Sequence, residues 1–328
     1  MQNTSTIQDL YTTELQPVLA ELETERRRVQ ARVLISSAII AVVVLLVGGG
    51  ALLMNADVGI FALIVSIALG MGLWALINNG RIQNYRRNFK QQVIGRLVRH
   101  LDPGLRYQPE GSIAESEFRA SRIYRKRIDR YKGEDLITGQ LGATALRFSE
   151  LHAQYKTTTT DSKGRRKTTW HTIFKGIFFV ADFNKDFQGL TLVLPDTMEG
   201  WLGKLGQSLQ DWGDIFQPGD LVRMEDPEFE RIFAVYAQDQ IEARYILSPS
   251  LMQRLVAFRQ RMDVNISLAF VNSNVYIAIP TRKNQFEPPF WGSANLALEE
   301  IREHLEDIQL AQDIVADLNL NTRIWSKR

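Results

Sequence analysis

The sequence predicts an α+β domain, mostly an antiparallel sheet with flanking helices, behind an N-terminal hairpin of two transmembrane helices. Two uncharged apolar runs, residues 33–54 and 58–77, predict the hairpin because only three residues separate them. As a helix, each run would be about 30 Å long, which is the thickness of the hydrocarbon core of a bilayer. Further along the chain, strand-like segments occur in blocks with helical segments between them. The absence of regular βαβ alternation favours α+β.

Three other interpretations of the apolar runs fit less well. A core hairpin of a soluble protein rarely needs about forty apolar residues with so few interruptions. A signal peptide is disfavoured because a long segment rich in Glu and Arg precedes the first run and a second run follows at once. A single re-entrant or tilted helix is disfavoured by Gly48, Gly49 and Gly50, followed by Asn55 and Asp57, which suit a helix end and a turn.

Basic residues flank the hairpin on both outer sides, whereas the turn between the runs has none. They are Arg26, Arg27, Arg28 and Arg32 before the first run, and Arg81, Arg86, Arg87, Lys90, Arg96 and Arg99 after the second. By the positive-inside rule, both termini and the large domain are expected in the cytoplasm, with the hairpin in a bacterial inner membrane. Neither run contains an ionisable residue that would mark a transport pathway, so we expect an anchor in the lipid bilayer.

Composition excludes several classes of site. The formal charge of +2 is too small to indicate a nucleic-acid-binding protein, and no binding module accompanies it. The absence of cysteine excludes disulfides, thiol nucleophiles and thiolate metal sites. The four histidines have neither the spacing of a helical metal site nor an HExxH pattern. We therefore expect no metal, no cofactor and no nucleic-acid partner.

Residues 1–32 predict a cytoplasmic N-terminal helix, and residues 78–133 predict basic amphipathic juxtamembrane helices. The first of these contains apolar residues from Ile82 to Leu101 at intervals of three and four and is ended by Pro103 and Gly104. The second is expected over Phe118–Lys132. Its cations share one face and could bind anionic lipid headgroups or a membrane partner, although a solvated face is the simpler use: Arg119, Arg122, Lys126 and Arg130.

Residues 134–328 predict the cytoplasmic α+β domain. Its first strands are rich in aromatic and β-branched residues and are expected at Asp135–Leu141, Ala145–Gln154, His171–Phe183 and Leu190–Leu194. Between the second and third strands lies a polar, basic tip, Thr157–Thr169, which contains Arg165 and Arg166. A flexible, solvated loop is the default interpretation of this tip, and lipid or partner contact is the alternative.

The second half of the domain mixes helices and strands. Asp226 before Pro227 and Ser248 before Pro249 are typical helix N-caps with proline in the first turn. The other expected elements are strands at Gln240–Leu247, Asn265–Val271 and Val275–Ile279, the last two joined as a hairpin by Asn272–Asn274, and a helix over Leu296–Leu318.

The stretch from about Tyr131 to Trp325 resembles a bacterial family of membrane-anchored proteins catalogued as domain of unknown function family 3137. The resemblance lies in six phrases: Phe148–His152, Phe174–Phe178, Leu194–Asp196, Glu225–Phe229, Gln240–Tyr245 and Val275–Pro280. It implies paired transmembrane segments ahead of the domain but no reaction or ligand. Because some members are encoded near LemA-like membrane proteins, it also implies a membrane partner of that kind.

Glu150, His152 and His171 are the candidate catalytic residues, because an acid that orients a histidine is the minimal set for general acid-base catalysis. The spacing of Glu150 and His152 equally fits the outer face of an ordinary strand. The chain has no GxSxG elbow and no Walker motif. The sequence thus favours a membrane-anchored interaction or scaffolding module, and a membrane-tethered hydrolase that uses His152 and His171 is the alternative.

Overall fold

The computed structural model describes residues 8–54, 56–183, 185–196, 221–281, 284, 286–288, 290–291, 298–318 and 320. The chain divides into two compact units. Unit 1 contains residues 1–96 and 286–304, and unit 2 contains residues 97–285 and 305–328. Unit 1 holds a helical hairpin, and unit 2 holds an antiparallel sheet with helices. The predicted fold class is therefore confirmed.

The hairpin consists of two long helices, α1 (Gln8–Met54) and α2 (Asp57–Leu101), both long and apolar enough to cross a membrane. Short π-helical turns interrupt their regular hydrogen bonding at Tyr11–Leu15, Leu45–Gly49 and Lys90–Ile94. The predicted N-terminal helix and the first of the two predicted juxtamembrane helices are continuous with the apolar runs. Asn78, Asn79 and Gly80 follow the second run and could end a helix, but the backbone stays helical through them and into the polar flank.

The two helices of the hairpin pack closely near their turn. A Cβ atom at Gly48 would lie 2.5 Å from a Leu63 side-chain carbon, and one at Gly59 would lie 2.3 Å from the Leu52 Cα. Further from the turn, polar side chains connect the helices, because Trp74 Nε1 donates to Ser37 Oγ over 2.8 Å and Ser36 lies 3.1 Å from Asn78 Oδ1. The outer faces remain apolar and exposed.

Residues 286–288 and 290–291 belong to unit 1 and include contacts to its helices. Lys90 Nζ lies 3.0 Å from a Glu287 carboxylate oxygen, and the Lys90 side chain is only 4% exposed. The Phe290 carbonyl accepts a hydrogen bond from Arg26 over 3.3 Å, and its ring joins a small apolar cluster with Val33 and Tyr85. An ion pair with so little solvent around it depends on both partners.

Unit 2 is organised around a nine-stranded sheet with the order β1-β2-β3-β4-β9-β8-β5-β7-β6. All described neighbours are antiparallel. The strands are β1 (Leu105–Gln108), β2 (Arg130–Leu141), β3 (Thr144–Thr160), β4 (Arg166–Asp182), β5 (Leu190–Pro195), β6 (Leu221–Val222), β7 (Phe233–Ala237), β8 (Ser267–Val271) and β9 (Asn274–Pro280).

Three helices of unit 2 begin at capping side chains. They are α3 (Glu115–Ala120), α4 (Pro227–Glu230), α5 (Gln240–Ile246), α6 (Pro249–Met262) and α7 (Leu298–Asp317), of which the last begins in unit 1. Asp226, Asp239 and Ser248 each accept hydrogen bonds from backbone N–H groups of the first turn. The caps predicted at Asp226 and Ser248 are confirmed.

An aromatic cluster covers one face of the sheet. Phe118 of α3 is fully buried, and its ring centroid lies 4.9 Å from that of Phe178 on β4. Tyr124 stacks on Phe118 from the segment that follows α3, with centroids 5.5 Å apart. This cluster fixes the segment that leads into β2, and β2 forms one side of the candidate site.

Three predicted elements differ from the structure. The helix expected over Phe118–Lys132 is wrong, because α3 ends at Ala120, Arg122 has a left-handed backbone with φ of 57°, and β2 begins at Arg130. The strand expected over Gln240–Leu247 is also wrong. Its alternating pattern fits a strand, but the Asp239 cap starts α5 and leaves Ile241 81% exposed and Ala243 buried. The loop expected at Thr157–Thr169 continues strands β3 and β4.

The hairpin predicted between the last two strands is confirmed. Val271 of β8 pairs with Asn274 of β9 across Asn272 and Ser273. Both turn residues have positive φ, 47° and 58°, which is the backbone of the type I′ turns that match the twist of antiparallel strands.

Candidate functional site

Charged residues of three neighbouring strands form two rows on one face of the sheet. The cationic row contains Lys132, His152 and Lys175, which lie directly opposite one another on β2, β3 and β4. The acidic row contains Glu134 and Glu150, paired on β2 and β3. Because side chains at i and i+2 share a face, the rows are about 7 Å apart along the strands.

Both rows line a pocket with a volume of about 600 Å³, which is within the usual range of small-molecule sites. The described lining residues are Ser112, Tyr131, Lys132, Gly133, Glu134, Glu150, Leu151, His152, Lys175, Gly176, Thr281 and Asn284. All of them belong to unit 2. The pocket therefore places His152 and Glu150, two of the candidate catalytic residues, around one space.

The imidazole of His152 lies in a positive environment. Burial lowers its pKa, and the positive charges of Lys175, Arg130 and Lys132 lower the pKa further. Its Nε2 lies 3.2 Å from the Thr172 hydroxyl. A lowered pKa makes the neutral imidazole the main form at neutral pH, so the ring is able both to donate and to accept a hydrogen bond.

The opposite side of the pocket is negative. A bulge in β2 follows Glu134 and turns Asp135 into a left-handed conformation with φ of 61°, where its side chain is buried. The Tyr107 hydroxyl of β1 donates a hydrogen bond to Asp135. Burial raises the pKa of Tyr107 far above its usual range, and the negative charges of Asp135, Glu134 and Glu150 add to the increase.

Carboxylate oxygens of Glu134, Asp135 and Glu150 lie within 4.8 Å of one another, close enough to hold a metal ion. Oxygen ligands suit hard cations such as Mg²⁺ and Ca²⁺. However, Asp135 already accepts the Tyr107 hydroxyl, and acidic groups alone do not define a metal site.

His171, the other candidate catalytic histidine, is not among the described residues that line the pocket. Its Nε2 lies 2.8 Å from the Thr157 hydroxyl, and its ring stacks on Tyr155 with centroids 4.8 Å apart. The two histidines thus have separate surroundings on β3 and β4.

Strands β3 and β4 extend beyond the rest of the sheet as a β-hairpin that we call the arm, residues 154–170. Every residue from Lys156 to Trp170 is exposed. Five cations and one acid give the arm a formal charge of +4; the cations are Lys156, Lys163, Arg165, Arg166 and Lys167. Threonines occupy most of the remaining positions, and their β-branched side chains favour strand over loop.

The acid, Asp161, builds the turn at the tip of the arm. It accepts hydrogen bonds from the backbone N–H groups of Lys163 and Arg165 over 2.9 and 2.8 Å. The Arg165 guanidinium also donates to it over 2.8 Å. These contacts, the backbone bond from Arg165 first among them, lower the pKa of Asp161. Arg165 therefore serves the turn, whereas Arg166 begins β4 on the exposed arm.

Two cations predicted to lie on one helical face lie instead at the base of the arm. The Arg130 guanidinium carbon is 3.8 Å from the centroid of Trp170, and Lys126 Nζ is 5.0 Å from that of Tyr155. Such cation–π contacts contribute roughly 0.5–1 kcal/mol at exposed sites. Arg119 instead forms an ion pair of 2.8 Å with Glu115, and Arg122 occupies the turn after α3.

The sequence did not single out three charged residues of the pocket as site candidates: Lys132, Glu134 and Lys175. The alternation of charge at Lys132 and Glu134 was a usable signal, because residues two apart on a strand share a face. The pairing of that face with His152 and Lys175 required the strand register.

Residues 172–320 match the model of a family described as a protein of unknown function, DUF3137, which confirms the resemblance found in the sequence. A search of curated proteins found no match. Among solved structures, the chain is similar to the crystal structure of the mycobacterial trehalose monomycolate transport factor A, with 13% identity and a TM-score of 0.31. The alignment covers 69% of this chain and 96% of that one.

The matched residues include Lys175, Gly176 and Thr281 of the pocket but neither Glu150 nor His152. The arm also lies before residue 172. The family match over this segment therefore does not assign a role to either feature.

Proposed function

We propose that this chain is an integral membrane protein whose unit 2 acts as an interaction module held at the cytoplasmic face of a bacterial inner membrane. The α1–α2 hairpin is the anchor in this proposal, and the arm is the surface that binds anionic lipid headgroups. The observation that carries the proposal is a fully exposed basic hairpin in a chain that also has two apolar helices of membrane-spanning length.

Exposure of the apolar helices supports the anchor. In the most apolar 18-residue stretch of each helix, only 11% (α1) and 6% (α2) is buried. The core helices of soluble proteins bury such residues. Leu53 is 92% exposed, Leu76 is 85% exposed and Phe61 is 71% exposed. An exposed apolar surface of this extent is stable in lipid and favours association in water.

Charge supports the arm as the contact surface. A cluster of four to eight Lys and Arg residues beside a membrane attracts anionic lipid by roughly 1 kcal/mol per cation. The anchor would keep the arm near the bilayer at a high effective concentration, so even modest attraction would fill the contact. Both faces of the hairpin are exposed from Lys156 to Trp170, so its basic side chains are accessible to a membrane surface.

The natural chain contains no cysteine, so single introduced cysteines report position cleanly. We expect an Asp57→Cys variant to react with a membrane-impermeant maleimide added outside intact cells, and a Thr160→Cys variant to react only after the cells are opened. The reverse pattern would contradict the cytoplasmic placement of unit 2.

Lipid contact is tested with the full-length chain in nanodiscs and a spin label at a Thr160→Cys substitution. With anionic lipid in the discs, we expect a nickel-chelating lipid to relax the label strongly, and with zwitterionic lipid alone we expect weak relaxation. An added Arg166→Gln and Lys167→Gln pair should remove roughly 2 kcal/mol, which corresponds to about a 30-fold decrease in the docking equilibrium constant and a lower docked fraction.

The matched control is Arg106→Gln, which removes an exposed cation from β1, outside the arm. It should leave the docked fraction unchanged. Docking that persists without anionic lipid, or that falls equally in the control, would overturn the proposed lipid contact. Loss of docking in 1 M salt is also expected, because the screening length falls to about 3 Å.

The alternative function, a membrane-tethered hydrolase, required His152, His171 and an acid in one site. Within the described residues, His152 and Glu150 share a pocket, whereas His171 contacts Thr157 and Tyr155. The geometry therefore favours a binding pocket over that catalytic set.

A further inference from the structure

The two charged rows divide the pocket of unit 2 into a positive and a negative side. Lys132 and Lys175 lie on either side of His152 in the cationic row, and Glu134 lies opposite Glu150 in the acidic row. Neighbouring strands are about 4.8 Å apart, so the charges of each row are within reach of a single ligand group. The two rows are joined by strand backbone and cannot separate.

The charge division also affects two titratable side chains in or near the rows, His152 and Tyr107. Burial lowers the pKa of His152 and positive charge lowers it further, whereas burial raises the pKa of Tyr107 and negative charge adds to the increase. The charges that act on His152 are Lys175, Arg130 and Lys132, and those that act on Tyr107 are Asp135, Glu134 and Glu150. The opposite potentials therefore come from different residues of the same three-strand segment.

We propose that this pocket binds a small zwitterion that carries a primary ammonium group and a phosphate or carboxylate group. The ammonium group lies against Glu134 and Glu150, and the anionic group lies between Lys132 and Lys175 with a hydrogen bond from His152. A separation of about 4–7 Å between the two ligand charges fits the spacing of the rows.

A ligand with only one kind of charge fits less well. An anion would lie beside the carboxylates of Glu134 and Glu150, and a cation would lie beside the two lysines, and like charges at such distances are repulsive. A zwitterion complements both rows at once. Ser112, Tyr131, Thr281 and Asn284 add neutral polar groups to the lining.

The charged rows also neutralise each other when the pocket holds only water. A ligand must therefore replace interactions between the rows, and part of its binding free energy is used for that replacement. For this reason we expect an affinity between about 1 μM and 1 mM. The same chemistry occurs in water-soluble molecules and in lipid headgroups, and the experiment distinguishes these sources.

The test uses the full-length chain in detergent micelles and O-phosphoethanolamine as the probe, followed by isothermal titration calorimetry and the His152 imidazole NMR signals. We expect saturable binding at least tenfold tighter than that of ethanolamine or of inorganic phosphate. The proposal would be overturned if inorganic phosphate bound as tightly as the zwitterion. It would also be overturned if binding did not saturate by about 10 mM O-phosphoethanolamine and the lipid headgroup had no effect in nanodiscs.

Variants of each row test the geometry. Lys132 is exposed, so Lys132→Gln should fold normally and weaken binding at least tenfold, with recovery in Lys132→Arg. Glu134→Gln should weaken binding of the zwitterion while leaving that of phosphate equal or stronger. The matched control, Arg106→Gln on β1, should bind as the natural chain does. Equal affinities for the control and Lys132→Gln would refute the role of the cationic row.

The lipid source is tested in nanodiscs. A shift of the His152 signals when phosphatidylethanolamine replaces phosphatidylcholine, lost in Lys132→Gln, would assign the ligand to a lipid headgroup. The same signals responding only to soluble O-phosphoethanolamine would assign a water-soluble ligand. Either result supports the zwitterion site, whereas a response to both lipids alike would count against it.

Discussion

Gly176 of β4 lines the pocket and pairs with β9. We expect its replacement by alanine to lower the free energy of unfolding more than most single substitutions do. The residue has φ of 153° and lies where β4 pairs with β9. A Cβ atom there would be 2.1 Å from the Ile279 carbonyl oxygen and 2.7 Å from the Thr281 amide nitrogen. Both neighbours are backbone atoms, so the strands would have to separate.

The cost has two parts. A non-glycine residue in this region of backbone space costs roughly 1–3 kcal/mol, and displaced ladder hydrogen bonds add roughly 1 kcal/mol each. We therefore expect Gly176→Ala to lower the free energy of unfolding by roughly 3–5 kcal/mol, in the range reserved for backbone strain and overpacking. For a unit of this size, that is a decrease in Tm of about 6–20 °C.

Gly164 at the tip of the arm provides the matched control. It also has positive φ, 74°, but a Cβ atom there would meet nothing within 4 Å. Gly164→Ala should cost only the left-handed backbone penalty of roughly 1–2 kcal/mol, and in an exposed hairpin most of that loss is local.

The assay is thermal unfolding of the full-length chain in one detergent at one scan rate, with hydrogen exchange of the β4 amides as a second readout. Gly176→Ala should also speed exchange across the β4–β9 pairing, and Gly164→Ala should speed it only in the arm. If the two variants lower Tm by the same few degrees, the close approach of β4 and β9 at Gly176 is wrong.

The remaining predictions concern two ionisable groups. Glu287→Gln removes the carboxylate from the nearly buried Lys90 of unit 1, so we expect the free energy of unfolding to fall by roughly 3–5 kcal/mol. A Lys90→Met and Glu287→Met double variant should recover a substantial part of that stability. No difference between the single and double variants would contradict the ion pair. His152 has a lowered pKa in the folded state, so the unfolded chain binds a proton at a higher pH than the folded chain does. The free energy of unfolding that this histidine contributes is fully present above about pH 6.5 and should decrease as the pH falls below that value. His152→Gln should reduce the change in Tm between pH 7 and pH 5, and an unchanged pH dependence would show that other groups cause it.

Local features of this fold were predictable because neighbouring residues decide them. The hairpin of α1 and α2 follows from the length of two apolar runs, and the caps at Asp226 and Ser248 follow from short side chains beside prolines. The turn at Asn272 and Ser273 follows from residues that tolerate positive φ. In each case the interactions span only a few residues or one helix.

The segment Gln240–Ile246 shows where local patterns fail. Its alternation of polar and apolar residues is compatible with a strand, but the same residues also form the helix α5, which Asp239 caps. The helix buries Ala243 and Ile246 and leaves Ile241 exposed, and this pattern of burial favours the helix over the strand. It depends on the packing of the other elements of unit 2 against this segment, which local sequence does not determine.

The sequence by itself determined that the chain has a hairpin of two apolar helices long enough to cross a membrane, a basic hairpin tip and charged residues at alternating strand positions. Only the tertiary structure decided which of those charges meet. Alternation assigns a residue to a face, but the row in which Lys132, His152 and Lys175 lie depends on the register of three strands, and each register is shifted by bulges after Glu134 and Ala153. Register is a long-range property because residues far apart in the sequence must pair before it is fixed.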